Sequence, residues 1–129
     1  MKFEHFGINV PDPVAMAAWY VKHFQMKVLR AMKEDPYTHF LADESGRVCM
    51  ELYANKTVEI PDYKKQHPLK FHFAFEVDNP QKFSEILIND GAVFFEEVKP
   101  DADSHLIMLR DPWSIPLQIC KRSTRLLKI

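Results

Sequence analysis

The chain has 129 residues, 47% of them hydrophobic, and 17 Lys and Arg against 18 Asp and Glu give it a net charge of −1. That size and apolar content allow a compact unit with a real core, and the near-balanced charge offers no global field for nucleic acid or an anionic membrane. The first thirty residues hold no continuous apolar run, so neither a signal peptide nor a spanning helix is expected, and Cys49 and Cys120 read as reduced, inert thiols of a cytoplasmic protein.

Residues 3–10 alternate, with Phe6, Ile8 and Val10 on one face and His5, Gly7 and Asn9 on the other, which is the period of a half-buried strand. Pro11-Asp12-Pro13 ends it and opens a helix, Asp12 being the N-cap and Pro13 the first helical residue. Met16, Trp19, Tyr20, His23 and Phe24 give that helix an apolar side to lay on a sheet. Strands are expected at Met26–Ala31, Tyr37–Ala42 and Val48–Tyr53, separated by the turn signals Glu34-Asp35-Pro36 and Asp43-Glu44-Ser45-Gly46. Residues 54–70, with two prolines and five basic residues counting His67, have no clean period and read as a linker.

The pattern then repeats. Phe71, Phe73, Phe75 and Val77 form one strand face and His72, Ala74 and Glu76 the other; Asn79-Pro80 caps a helix to about Asn89, and Gly91 suits its left-handed terminus. Strands at Ala92–Glu97, His105–Arg110 and Leu117–Lys121 complete the copy, and residues 122–129 read as a basic, solvated tail. The organisation expected is therefore α+β and one domain: module one over 1–53, linker 54–70, module two over 71–121, each strand–helix–strand–strand–strand. His23 and His67 are expected at the surface, and His105 in a surface or packing role.

Shifted by 67 positions, residues 5–13 fall on 72–80 with His, Phe, Val and Pro identical at four of nine places, and the same shift carries Glu51 onto Gln118 without a gap. His5, Glu51, His72 and Gln118 are thus matched polar positions on the strand faces that the helices do not cover. Two imidazoles, a carboxylate and a carboxamide suit Zn²⁺, Ni²⁺, Co²⁺, Mn²⁺ or Fe²⁺, and a cation so held can polarise adjacent substrate oxygens as a Lewis acid. Glu51, the set's sole carboxylate, is the candidate base; Gln118 can ligate or donate a hydrogen bond but cannot take a proton. Tyr53 and His39 are candidate pocket residues, as is Met108, and Trp113 could narrow the pocket mouth.

The strand His5-Phe6-Gly7-Ile8-Asn9-Val10, Glu51-Leu52-Tyr53-Ala54-Asn55, Phe71-His72-Phe73 and Asp111-Pro112-Trp113-Ser114-Ile115-Pro116-Leu117-Gln118-Ile119 resemble the vicinal oxygen chelate superfamily over about residues 3–121. That superfamily includes glyoxalase I, extradiol dioxygenases and bleomycin-resistance proteins. The resemblance implies two tandem βαβββ modules forming an incomplete, barrel-like curved mixed sheet with a metal cleft, and His5, Glu51, His72 and Gln118 as metal ligands. It further implies a small-molecule substrate, a homodimer, and a metal-dependent isomerase or lyase of the glyoxalase type acting on a small oxo or thioester-linked substrate. The alternatives it leaves are a metal-free binding protein of the bleomycin-resistance kind and an Fe²⁺ extradiol dioxygenase. Asn55 matches the glyoxalase residue that contacts glutathione. Asn9 stands where glyoxalase I has a carboxylate-gripping Arg, Gln118 where its final ligand is Glu, and Trp113-Ser114 where Asp-Gly is usual.

Overall fold

The computed structural model describes residues 1–47 and 49–127; Val48, with which one strand was expected to begin, the Cys49 side chain, and Lys128 and Ile129 of the tail lie outside the described residues. The chain divides into two compact units, Met1–Pro61 and Asp62–Ile129, so the boundary falls inside the expected linker.

The first unit contains β1 (His5–Asn9), α1 (Pro13–Phe24), β2 (Lys27–Ala31), β3 (His39–Ala42) and β4 (Cys49–Tyr53). Its four strands run in the order β1-β4-β3-β2, with β1 parallel to β4 and the other pairs antiparallel. Helix α1 begins where the Asp12 carboxylate accepts the Ala15 N–H at 3.0 Å, with Pro13 at its head. Met16, Ala17, Trp19 and Tyr20 are buried on its sheet side, above Ile8, Leu41, Met50 and Leu52. Each of the larger side chains among them contributes roughly 1.5–3 kcal/mol by leaving water.

The second unit repeats this with β5 (Phe73–Glu76), α2 (Pro80–Asn89), β6 (Val93–Val98), β7 (His105–Arg110) and β8 (Pro116–Lys121), in the order β5-β8-β7-β6. Asn79 caps α2 as Asp12 caps α1, its side-chain oxygen accepting the Lys82 N–H at 3.0 Å. The core here is Leu87 against Ile107, Leu109, Ile115, Leu117 and Ile119. Both sheets are mixed and unclosed, as the α+β reading required.

The duplication holds in the hydrogen-bond register itself. Gly7 pairs with Glu51 and Ala74 with Gln118, the same ladder rung displaced by 67 residues. The hairpins drift from that spacing: Val28 answers Phe94, a shift of 66, and Leu41 answers Leu109, a shift of 68. The first drift starts at the helix end, where the left-handed residue is Gln25 after α1 but Gly91 after the shorter α2. Each outer strand carries a bulge, at Leu29 and at Phe95, in equivalent places; a bulge on an edge strand twists it and discourages pairing with another chain.

Two strand starts and the tail depart from the sequence expectation, each for a local reason. Strand β3 starts at His39 rather than Tyr37, because Tyr37 is left-handed (φ 55°) and closes a turn to the Glu34 carbonyl at 2.7 Å. Strand β5 starts at Phe73 rather than Phe71; the register would set His72 beside Pro116, which has no N–H with which to extend the ladder. The tail is not free over its first turn: Ser123 N–H donates to Ser104 Oγ at 2.9 Å, and Arg125 Nε donates to a Glu76 oxygen at 2.5 Å.

Gly91 has φ +100°, and a Cβ there would lie 3.2 Å from Pro112 Cγ. Gly91→Ala is expected to cost about 1–2 kcal/mol, the price of an L-residue in the left-handed region. Gln25→Ala, which removes no such freedom because Gln25 already carries a Cβ at φ 54°, is expected to stay within about 0.5 kcal/mol of the parent. Urea denaturation midpoints of the two variants check the contrast.

Candidate functional site

Strand register decides which candidate residues share a face. Glu51 is opposite Gly7 on β1 and Phe40 on β3, and Phe40 is opposite Arg30 on β2, so three side chains and the bare Gly7 form one row across the open face of the first sheet. Period two adds His5 and Asn9 from β1 and Tyr53 from β4 to that face. His39 is opposite Leu52, which is fully buried on the helix-covered side, so the register turns His39 away from Glu51.

Within this face His5 and Glu51 come together. His5 Nε2 lies 3.4 Å from Glu51 Oε2, with the imidazole about one-third exposed and the carboxylate about one-quarter. Two donors bound to one cation at about 2.1 Å are about 3.4 Å apart in a tetrahedral shell and about 3.0 Å apart as octahedral neighbours. The pair therefore fits one edge of a coordination polyhedron as it stands. An ionised Glu4 carboxylate can only accept, so His5 Nδ1 donates to it and a neutral ring has its lone pair on Nε2, on the side of Glu51. The Phe40 ring meets the His5 ring edge-on with centroids 6.1 Å apart and limits how far the imidazole can swing.

Gly7 makes room for this pair. A Cβ at residue 7 would sit 2.9 Å from Glu51 Oε2 and 3.2 Å from Tyr53 Cε1. Both side chains lean across the bare backbone of β1. The equivalent rung of the second sheet carries Ala74 beside Gln118.

In the second unit Gln118 is half-buried on β8, opposite Ala74 and Met108, and Met108 is opposite Glu96. Met108 thus shares Gln118's face, as expected of a pocket residue, and is buried. His72, half-buried just before β5, donates from Nδ1 to the Pro68 carbonyl at 3.0 Å. A carbonyl can only accept, so the neutral His72 ring also keeps its lone pair on Nε2. An Nδ1–H held by a carbonyl or carboxylate is the usual second contact of a metal-bound imidazole. Among the described residues no three of the types His, Cys, Asp and Glu gather as a metal-holding group; the carboxamide of Gln118 is outside those types.

The remaining candidates occupy distinct local roles. Asn9 is buried and its amide pairs both ways with the peptide of Asn55, Nδ2 donating to the Asn55 carbonyl at 2.9 Å and Oδ1 accepting its N–H at 2.8 Å. The Asn55 side-chain oxygen in turn accepts the Thr57 N–H and hydroxyl at 2.9 and 2.6 Å. Asn9 and Asn55 therefore fasten the chain leaving β4 to β1. Trp113 is half-buried in the β7–β8 loop, its N–H bound at 2.9 Å by buried Asp111, at the same end of the sheet as His72. Ser114, next to it, takes the left-handed place (φ 68°). Cys120 is a free, buried thiol on Gln118's strand, and burial pushes its pKa up, so it stays protonated and unreactive at neutral pH. His67 is exposed as expected, whereas His23 is half-buried against Trp19 at 4.8 Å. His105 takes the packing role, its Nε2 lying 2.7 Å from Glu97 on the neighbouring strand.

Sequence reasoning did not single out Glu4, Phe40 or Arg30. Glu4 adjoins His5, and Phe40 precedes Leu41 in an apolar run; the side-chain contact shows that the first orients the imidazole, and the pairing between strands that the second faces Glu51.

Two four-stranded mixed sheets built as tandem βαβββ units, each presenting a polar rung on its uncovered face, define the class of protein. Solved structures share the fold. A glyoxalase/bleomycin resistance protein/dioxygenase family enzyme from Burkholderia phytofirmans PsJN superposes with a TM-score of 0.70 at 21% identity, covering 93% of this chain and 98% of that one. A possible glyoxalase from Bacillus cereus gives 0.67 at 19% over 92% and 97%, and an antibiotic-binding protein from Streptomyces sp. CB03234 gives 0.66 at 14% over 92% and 93%. No curated protein sequence matches the chain. The model of the Glyoxalase/Bleomycin resistance protein/Dioxygenase superfamily matches residues 2–119, and the chain belongs to that family.

Gly7→Ala tests the first half of the site. Since Ala74 is tolerated at the matching rung, the variant is expected to fold with a Tm within roughly 4 °C of the parent. The Glu51 carboxylate must move, which is read as a changed NMR signal of the His5 ring with those of His39 and His105 unaltered.

Proposed function

We propose that this chain is a cytoplasmic, homodimeric, metal-dependent isomerase or lyase of the glyoxalase type, acting on a small α-oxo or thioester-linked substrate. His5 and Glu51 from one module and His72 and Gln118 from the other, in one chain or across two, supply the ligands. The observation that carries the reading is the His5–Glu51 pair, its donors already 3.4 Å apart. The way both imidazoles are held by Nδ1 supports it. A bound divalent cation would supply Lewis-acid polarisation of adjacent substrate oxygens.

The chain's own residues do the rest. Glu51 takes the proton from the carbon next to the substrate carbonyl, the one carboxylate of the set able to do so. Gln118 stays neutral throughout. Tyr53, on Glu51's face, offers a hydroxyl to the substrate, while Met108 and Trp113 wall the second module's side. Asn9, whose amide is engaged with the Asn55 peptide, shapes the rim, and Asn55, its Oδ1 held by Thr57, presents its side-chain amide beside it.

Elemental analysis of untreated protein, followed by a hemithioacetal isomerisation assay, tests the proposal. The expected result is close to one divalent ion per chain and turnover that Glu51→Gln lowers by about 10²–10⁴-fold, the usual contribution of a general base. Full thermal stability after chelator treatment, with no metal bound, would instead mark a binding protein of the bleomycin-resistance kind. Metal without isomerisation but with catechol cleavage under Fe²⁺ would mark a dioxygenase.

A further inference from the structure

We propose that Arg110 is a positioning residue for His72: it fixes the segment 62–70, and that segment sets which ring nitrogen of His72 carries the proton. The inference rests on the metal-ligand role proposed above for His72.

Arg110 ends β7 on the same face as Met108 and Gln118. Its guanidinium is half-buried, and its bonds go to backbone carbonyls: Nη1 donates to Tyr63 O at 2.8 Å and Ser114 O at 3.1 Å, and Nη2 donates to Gln66 O at 2.7 Å. Its Cζ lies 5.6 Å from the centroid of the Phe95 ring, and the His67 ring meets the same Phe95 edge-on at 5.5 Å. Phe95 is the bulge residue of β6. One charged side chain and one aromatic ring thus pin the segment at Tyr63, Gln66 and His67. A guanidinium suits this task because its donors lie in a rigid plane and can hold several carbonyls at fixed angles.

The segment passes the constraint on over a short, stiff path. From the Gln66 carbonyl to the Pro68 carbonyl there are two residues, and Pro68 has its φ fixed by its ring. The turn beyond is closed by its own bonds, Leu69 N–H to His67 Nδ1 at 3.1 Å and Lys70 N–H to His67 O at 2.9 Å. Pro68 is buried, and its carbonyl receives the His72 Nδ1–H at 3.0 Å. A carbonyl so fixed selects the Nδ1–H tautomer and leaves Nε2 free to bind a cation.

Module one has no such device. The residue matching Arg110 in the hairpin register is Ala42, which has no guanidinium, and His5 is held by the adjacent Glu4 instead.

The test compares wild-type full-length chain with Arg110→Met and Arg110→Lys, metal-free, at a pH above the imidazole range. Ring-nitrogen NMR reads the tautomer of each histidine, and a Co²⁺ titration follows. Wild type is expected to show His72 as the Nδ1–H form. Arg110→Met is expected to shift it toward the Nε2–H form while His5 and His39 keep theirs, and to weaken Co²⁺ binding about 10–100-fold, as loss of an orienting contact does. Arg110→Lys should fall between. A folded Arg110→Met with His72 unchanged overturns the proposal. If that variant does not fold, Pro68→Gly loosens the path without touching Arg110, and an unchanged His72 tautomer there overturns it equally. A wild-type chain that binds no Co²⁺ defeats the metalloenzyme reading, while the tautomer measurement still decides the role of Arg110.

Discussion

The parallel pairing of β1 with β4 is the constraint on which the rest depends. It sets Gly7 against Glu51 on one ladder rung, and the absence of a Cβ at residue 7 is what lets the Glu51 carboxylate lie over β1 within 3.4 Å of His5 Nε2. A one-residue slip would send every side chain of β1 to the other face, exposing buried Ile8 and Val10 and driving His5 against α1. The hydrophobic core of the module and the polar pair on its open face are therefore fixed by the same register. Stability of the one enforces geometry of the other.

The second module inherits that rung and changes its chemistry. Ala74 replaces Gly7 and Gln118 replaces Glu51. A carboxamide does not need the room that the leaning carboxylate takes, and Ala gains the backbone-entropy advantage over Gly. The helix ends diverge in the opposite sense. Gly91 (φ 100°) relieves the left-handed turn and meets Pro112 closely, while Gln25 sits at φ 54° with a Cβ. Spacing drifts through each hairpin and is restored at β4 and β8. What is restored there is the ladder rung carrying residues 51 and 118.

Much of this was legible in the sequence. Alternation in residues 3–10 and the Asp-Pro and Asn-Pro caps placed β1, β5 and both helices, and the 67-residue shift paired Glu51 with Gln118. The gapless shift did not reveal that the hairpins between move by one residue each way, because exposed β2 and β6 carry little pattern to align. His39 read as a pocket residue because strand parity within β3 says nothing of which side meets the helix; that depends on its pairing with buried Leu52. The segment 54–70 read as a linker because it lacks period. Asn9 fastens its start at Asn55, and Arg110 holds Tyr63 and Gln66 with bonds that reach 47 and 44 residues back along the chain, distances at which no local pattern can signal a partner.

The two imidazoles reach the same tautomer by different means, and the difference has chemical weight. Glu4 brings a negative charge to His5 from an exposed position, where solvent screens it. Pro68, itself buried, brings His72 a neutral carbonyl held in place by the turn around it. On the proposed ligand set, a divalent cation would meet one carboxylate and three neutral donors, and so keep a net charge of roughly +1. With Glu in place of Gln118 that charge would be cancelled and the cation's pull on a substrate oxygen reduced. On that proposal neutral Gln118 would divide the labour further: it would leave the cation's Lewis acidity intact, and would leave Glu51, in the space that Gly7 provides, as the one group of the four able to accept a proton from carbon.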